Sequence, residues 1–225
     1  MSLDDLSLDF RLKRFVAGAV PDEVERHAIW MGAFTPAEQR QLFTDAALAA
    51  METPPSYDVV RQLAAQAALT SKLGRLQYLD LKGYLGEGVL TKVDRASMAC
   101  SLEVRVPLLD RRVVEVAAQL PDHLKLRRLT TKYILKQMLR HHLPHDILAR
   151  RKKGFGVPLG RWFRTELAPL LADALAPDVL RRAGLFRPEA VGRLLQEHQR
   201  AEVDHRKKLY TLLAFQLWAV RHRIV

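Results

Sequence analysis

Apolar residues recur along most of this chain at spacings of three and four, and no segment alternates cleanly between flanking turn residues. The first pattern stacks side chains on one face of an α-helix, whereas alternation marks a half-buried strand. Leu6, Phe10, Lys13 and Ala17 fall close to one face of a first helix. Asp22-Glu23 behind Pro21 starts a second, because proline suits the first turn and acids favour the N-terminal dipole. Thr35-Pro36-Ala37-Glu38 reads as cap, first position and acidic first turn of a short helix through Phe43. Residues 45–56 read as a loop stiffened by Pro54-Pro55. A helical stretch then runs from Tyr57 to Leu85, weakened at Gly74 and Gly83 by roughly 1 kcal/mol each. Gly86-Glu87-Gly88 interrupts it, and it resumes through Leu90, Val93 and Ser97.

Asp110 caps the next helix, which carries Val113, Val116, Ala117 and Leu120 inward. Thr130 or Thr131 caps another, with Leu135, Met138, Leu139 and His142 on one stripe. Pro144 starts a short turn, and Pro158 opens a helix with Leu159, Trp162 and Phe163. Further helices start near Thr165, Pro177 and Pro188. The last runs from Asp204 to His222, with Leu209, Leu212, Leu213, Leu217 and Val220 as its apolar stripe. Together these predict an all-α chain, an irregular multi-helix array of about ten to twelve helices rather than a bundle.

Composition narrows the class. The 225 residues, 48% hydrophobic and 27% charged, suit one large soluble domain or two small ones. No apolar run approaches the roughly 20 residues that span a bilayer. The N-terminus lacks a secretory apolar region, and Met1-Ser2-Leu3 resembles an expression leader. Cys100 is the only cysteine, so no intrachain disulfide forms, which fits a cytoplasmic protein. The net charge of +11 has several readings: nucleic acid or a membrane surface, an anionic substrate, or a basic face covered by an acidic partner domain. The clusters Arg150–Lys153 and His205–Lys208 are short and carry no interleaved aromatics. They argue against nucleic acid, although a free-standing basic helical module stays open as an alternative.

Candidate chemistry concentrates between Asp94 and Asp110. Asp94, Arg95, Glu103, Arg105 and Asp110 do not repeat on one helical face, so amphipathic packing alone does not account for them. The residue before Pro107 prefers extended geometry, so a helix runs into a bend there. Glu103 and Arg105 are placed to pair with each other, with Arg95 or with a neighbouring helix, and a structural ion-pair network explains them as well as a ligand does. Asp110 reads better as a cap than as a catalytic acid. Lys152 and Lys153 precede Gly154-Phe155-Gly156-Val157-Pro158-Leu159-Gly160, whose glycines fit neither a dinucleotide fingerprint nor a Walker loop. The residues alone favour a solvated basic turn there over a mobile arm that closes cations on an anion. His141 and His145 are four apart but Pro144 separates them, and no metal site emerges. Cys100, among Met98, Ala99 and Leu102, reads as a packed small hydrophobe. Trp30, Trp162 and Trp218 read as core.

Four segments in order carry a family resemblance: Ser7–Phe15, Leu79–Leu85 leading into Asp94, Thr130–Leu135, and Gly154–Trp162. Across residues 4–222 the chain resembles the C-terminal part of the synthetase domain of glutamine-dependent asparagine synthetases. β-Lactam synthetases and lasso-peptide cyclases share that scaffold.

The resemblance implies that residues 4–225 are the helical lobe of an ATP-pyrophosphatase-type synthetase domain lacking its parallel sheet. A fragment of that kind is expected to be inactive alone and able to self-associate through exposed apolar surface. It also implies partners missing from this sequence: an N-terminal glutaminase domain and an ATP-binding sheet with a Ser-Gly-Gly-x-Asp-Ser loop. In such enzymes ATP, with Mg2+, adenylates aspartate, and ammonia from glutamine attacks the β-aspartyl-AMP. No cofactor is expected on the fragment itself. Lys152 matches the family's catalytic lysine, with Lys153 beside it, and Lys132 adds positive potential. Asp94, Arg95, Glu103 and Arg105 line or brace the aspartate side of the pocket. Glu87 is expected near the amine, but Gly86-Glu87-Gly88 stands where many relatives read Leu-Pro-Asp-Asp. One carboxylate is therefore lost, which leaves the acceptor substrate open.

Overall fold

The computed structural model describes residues 15–16, 18–20, 22–67, 71–150 and 156–224. The helix expected at Leu6, Phe10, Lys13 and Ala17 rests on residues outside this set. In chain order the α-helices are α1 (Glu23–Met31), α2 (Pro36–Leu42), α3 (Asp45–Ala50), α4 (Asp58–Ala65) and α5 (Lys72–Leu79). A π-helix (Asp80–Leu90) leads into α6 (Thr91–Met98), α7 (Arg111–Gln119) and α8 (Asp122–Lys125). A hairpin of β1 (Leu126–Arg127) and β2 (Thr130–Thr131) precedes α9 (Tyr133–Met138) and α10 (His145–Ala149). The rest is α11 (Leu159–Trp162), α12 (Ala168–Ala174), α13 (Pro177–Ala183), α14 (Pro188–Gln199) and α15 (Arg206–Arg221). This is an all-α irregular array, with more and shorter helices than the periodicity suggested.

The capping signals explain many of the starts. Asp22 Oδ1 accepts from the amides of Val24 (2.8 Å) and Glu25 (3.1 Å) at the head of α1. Thr35 and Glu38 close a reciprocal capping box on α2, satisfying two backbone donors that the first turn otherwise leaves unpaired. Asp110 caps α7 through the Arg112 amide at 2.9 Å. Gly184, at φ +70°, ends α13 in the left-handed conformation that glycine adopts without a Cβ penalty.

Four expectations need correction. Residues 45–50 are helical, capped by Thr44, because Asp45-Ala-Ala-Leu-Ala-Ala holds strong helix formers behind a good cap. The stretch from Tyr57 to Leu85 is two helices, with Ser71 capping the second. Gly86-Glu87-Gly88 does not interrupt the helical path from Lys72 to Met98. Those glycines sit in the π-helix, whose wider turn keeps the backbone bonded. Thr130 and Thr131 are strand β2, not a cap, and Lys132 at φ 55° leads into α9.

The chain divides into two compact units, residues 1–59 with 155–225 and residues 60–154. The first has a core of Leu42, Phe163, Leu171, Leu175, Leu180, Phe186, Val191, Leu209, Leu212 and Leu213. Its N-terminal and C-terminal segments are stitched by backbone. Phe43 bridges Phe186, the Thr44 amide donates to Leu185 O (2.9 Å), and the Arg187 amide donates to Leu42 O (2.8 Å). Arg187 also donates through Nε to Phe43 O at 2.7 Å. The stripe on α15 differs from expectation. Leu209, Leu212 and Leu213 are buried, but the stripe continues through Gln216 and Ala219, while Leu217 and Val220 are exposed. Trp30 and Trp218 are exposed as well, and Trp162 is half-buried.

Gln216 is buried, and neither of its amide atoms is hydrogen-bonded among the described residues. A buried polar group without a partner keeps its desolvation cost uncompensated, about 1–3 kcal/mol. Gln216→Met, close to it in volume, should therefore raise the urea midpoint of the chain without changing the slope of the transition. A lowered midpoint would contradict this reading.

The second unit lacks comparable burial. Among its described residues only Ala64, Gly74 and Leu79 are buried. Val113, Val116 and Ala117, expected inward, are exposed, as are Leu135 and Met138. Cys100 is exposed rather than packed. The amphipathic faces exist as the periodicity indicated, but among the described residues nothing of the second unit covers them.

Candidate functional site

The candidate residues with described positions all belong to the second unit. The π-helix carries Glu87, and α6 carries Asp94 and Arg95. Two hydroxyls brace the local backbone: Thr91 Oγ1 donates to Gly86 O at 3.0 Å, and Ser97 Oγ donates to Asp94 O at 3.0 Å. The first tightens the turn in which Glu87 sits. After α6 the chain passes through Ser101 at φ 55°, then through a segment without regular structure to Val106, which is extended before Pro107 opens a 3-10 turn. This is the helix-into-bend geometry expected from Pro107.

In that segment Glu103 and Arg105 lie two residues apart. Their side chains form an ion pair with each other, and both are largely exposed. An exposed pair of this kind contributes about 0–1 kcal/mol. Glu87, Asp94, Arg95 and Lys132 are also exposed, with Asp94 and Arg95 consecutive on α6. Of the described candidates, the structure joins Glu103 and Arg105 in an ion pair. Lys152 and Lys153, with Gly154 and Phe155, lie outside the described residues.

The basic hairpin beside Lys132 went unread in the sequence. Leu126 pairs with Thr131 and Arg127 with Thr130, Arg128 takes a left-handed turn (φ 54°), and Leu129 at the tip is 98% exposed. Arg127 Nη1 donates to the Tyr133 hydroxyl at 2.5 Å, and its guanidinium lies 5.1 Å from that ring's centre. Lys125, Arg127, Arg128, Lys132 and Lys136 make this corner strongly cationic.

Charge is divided unequally between the two units. Residues 60–154 hold 19 Lys and Arg against 8 Asp and Glu, a net +11, while the remaining residues hold 17 of each and are neutral. The whole excess therefore sits in the unit that holds every candidate residue. A field of one sign raises the local concentration of anions and their rate of encounter.

The first unit has a cavity of about 460 Å³ lined by Phe34, Leu42, Arg187, Arg193, Glu197 and Lys208 among others. Its charges are largely paired. Lys208 Nζ meets Glu38 Oε1 at 2.6 Å, and burial of Glu38 is outweighed by its bonds to Lys208 and Thr35, which hold its carboxyl below the usual range. Among the described residues no group of three or more His, Cys, Asp or Glu is placed to hold a metal ion. No described helix is long and apolar enough to cross a membrane.

The family model described as Asparagine synthase matches residues 11–220. A putative asparagine synthetase [glutamine-hydrolyzing] of Mycobacterium tuberculosis is 40% identical over 172 residues, 75% of this chain and 26% of that protein. Asparagine synthetase [glutamine-hydrolyzing] 1 of Bacillus subtilis is 32% identical over 161 residues, 72% of this chain and 25% of the relative. Asparagine synthetase [glutamine-hydrolyzing] 3 of Bacillus subtilis is 40% identical over 81 residues, 36% of this chain and 13% of that protein. The chain thus spans about a quarter of the length of the first two relatives. No solved structure matches it.

Proposed function

Because this chain belongs to the asparagine synthase family, we propose that it forms the helical lobe of a longer, cytoplasmic, ATP-dependent synthetase that makes asparagine from aspartate with ammonia drawn from glutamine. The observation that carries this reading is the family match along residues 11–220. The concentration of the +11 charge in residues 60–154 suits a lobe that faces ATP and pyrophosphate. Its uncovered apolar faces suit a lobe that docks on further chain, the glutaminase domain and ATP-binding sheet of the longer enzyme.

In this reading an oxygen of the aspartate side-chain carboxylate attacks the α-phosphorus of ATP, and pyrophosphate leaves with its bonding electrons. Ammonia then attacks the acyl carbon, loses a proton, and AMP departs. Negative charge builds on phosphate oxygens in the first step and on the acyl oxygen in the second, so fixed cations lower both barriers. Lys152 is assigned to the phosphate side, with Lys153 beside it and Lys132 adding positive potential. Asp94, Arg95, Glu103 and Arg105 brace the aspartate side, and Glu87 faces the amine. ATP and Mg2+ are held by parts of the longer enzyme.

The isolated chain should then form no AMP from ATP, aspartate and ammonium. Sustained AMP formation by it would contradict the lobe assignment. The Gly86-Glu87-Gly88 sequence favours a second reading with the same activation chemistry and a different acceptor, as in a β-lactam synthetase or a lasso-peptide cyclase. A screen of carboxylate and amine acceptors with the longer protein separates the two.

A further inference from the structure

His198 is fully buried in the first unit, and both ring nitrogens are occupied. Nε2 lies 3.0 Å from the carbonyl oxygen of Gly160 in α11. Nδ1 lies 3.2 Å from the backbone nitrogen of His205, just before α15. A carbonyl can only accept and a backbone amide can only donate, so these partners assign one tautomer: Nε2 carries the proton and Nδ1 keeps its lone pair. The neutral ring thus joins α11, α14 and the turn into α15.

The surroundings hold that ring in place. Its edge meets Phe163 with centroids 6.4 Å apart, and Gln199 Nε2 donates to Phe163 O at 2.7 Å. Asp204 Oδ1 is 3.8 Å from Nδ1 but already accepts from the Arg206 amide at 3.0 Å, and its other oxygen pairs with the Arg206 guanidinium at 2.5 Å. His205 pairs its own ring with Glu197, 2.5 Å away. The charged and titratable groups around His198 are therefore Asp204, Arg164 and His205, with Glu197 and Arg206 one contact further.

We propose that His198 is an acid-released clasp: neutral, it fastens α11 to the turn at residues 204–206, and protonated, it lets go. The imidazolium carries a proton on both nitrogens, so Nδ1–H would face the His205 N–H, donor against donor, and that bond is lost. Burial pulls the proton affinity of His198 below the ordinary histidine value of 6.5. The Gly160 bond and Asp204 oppose this, and Arg164 and His205 reinforce it. A histidine lowered in the folded state contributes stability that is present above pH 6.5 and is lost as pH falls from there through the folded-state value.

The test uses urea unfolding of the whole chain from pH 8 to pH 5 in wild type, His198→Gln and His198→Ala. Glutamine supplies a donor and an acceptor at the same reach and does not titrate. The wild-type folding constant should fall relative to that of H198Q by up to about tenfold per pH unit below 6.5. H198A should be weaker at every pH with no such acid-dependent difference from H198Q. Parallel pH profiles for wild type and H198Q would overturn the clasp. If either variant fails to fold, nitrogen NMR of the wild-type imidazole decides. An Nε2–H tautomer at pH 7.5 that becomes imidazolium as the His205 amide loses exchange protection supports the proposal. An Nδ1–H tautomer, or an imidazolium already present at pH 7.5, overturns it.

Discussion

In the longer enzyme, Lys152→Ala should lower amide synthesis by about a thousandfold or more and leave glutamine hydrolysis at its wild-type rate. Removing one positioned charge from a developing oxyanion or phosphoryl transition state costs about 10²–10³ in rate in well-studied cases. Lys152 is assigned to pyrophosphate release, which every turnover crosses, so the upper end of that range applies. In the proposed enzyme, hydrolysis of glutamine is a separate reaction in a separate domain and does not use this cation. Lys152→Arg keeps the charge but changes a compact ammonium into a planar fork, so it should recover only part of the rate. Coupled assays of asparagine and glutamate on the same preparations check both halves. Synthesis near the wild-type rate in K152A would remove Lys152 from the reaction.

Phe163→Ala should destabilise the first unit by about 3–5 kcal/mol, the range for emptying a packed aromatic site. Phe163 is fully buried in the cluster with Leu171, Leu175, Leu209 and Leu212. It also stands against His198 on one side, and its carbonyl accepts from Gln199. The deletion therefore opens a cavity where α11, α14 and α15 converge, and those helices have few ways to close it. Urea unfolding measures the loss. A cost under about 1 kcal/mol would mean that the site collapses on itself and that the core lies elsewhere.

Local signals with one physical meaning were legible in the sequence. Thr35 and Asp110 cap as their positions required, and Pro107 and Pro158 stand at the turns they marked. Where two effects compete, the reading failed. Glycines at 83, 86 and 88 each disfavour an α-helix, yet here they are absorbed in a π-helix, which a three-and-four periodicity does not distinguish. The hairpin at 126–131 has only two residue pairs, and its tip is Arg128-Leu129 where a glycine or asparagine would have announced it. The apolar faces that carry Val113 and Val116, and Met138 on its stripe, are exposed: periodicity reports which face is apolar, not what covers it.

The site was legible only as a set of residue types. No spacing rule pairs Glu103 with Arg105 rather than with Arg95; the path of the chain after α6 makes that choice. His198 carried no signal at all. A lone histidine between Glu197 and Gln199 looks solvated, and its burial depends on Gly160, thirty-eight residues earlier in the chain.

The reaction proposed for the longer enzyme is adenylation of a carboxylate followed by amide formation. Product stoichiometry in that protein, supplied with ATP, glutamine and aspartate, tests it. AMP, pyrophosphate and asparagine should form in equal amounts, with AMP formation dependent on aspartate. ADP and phosphate as products, or AMP released equally without aspartate, would contradict it.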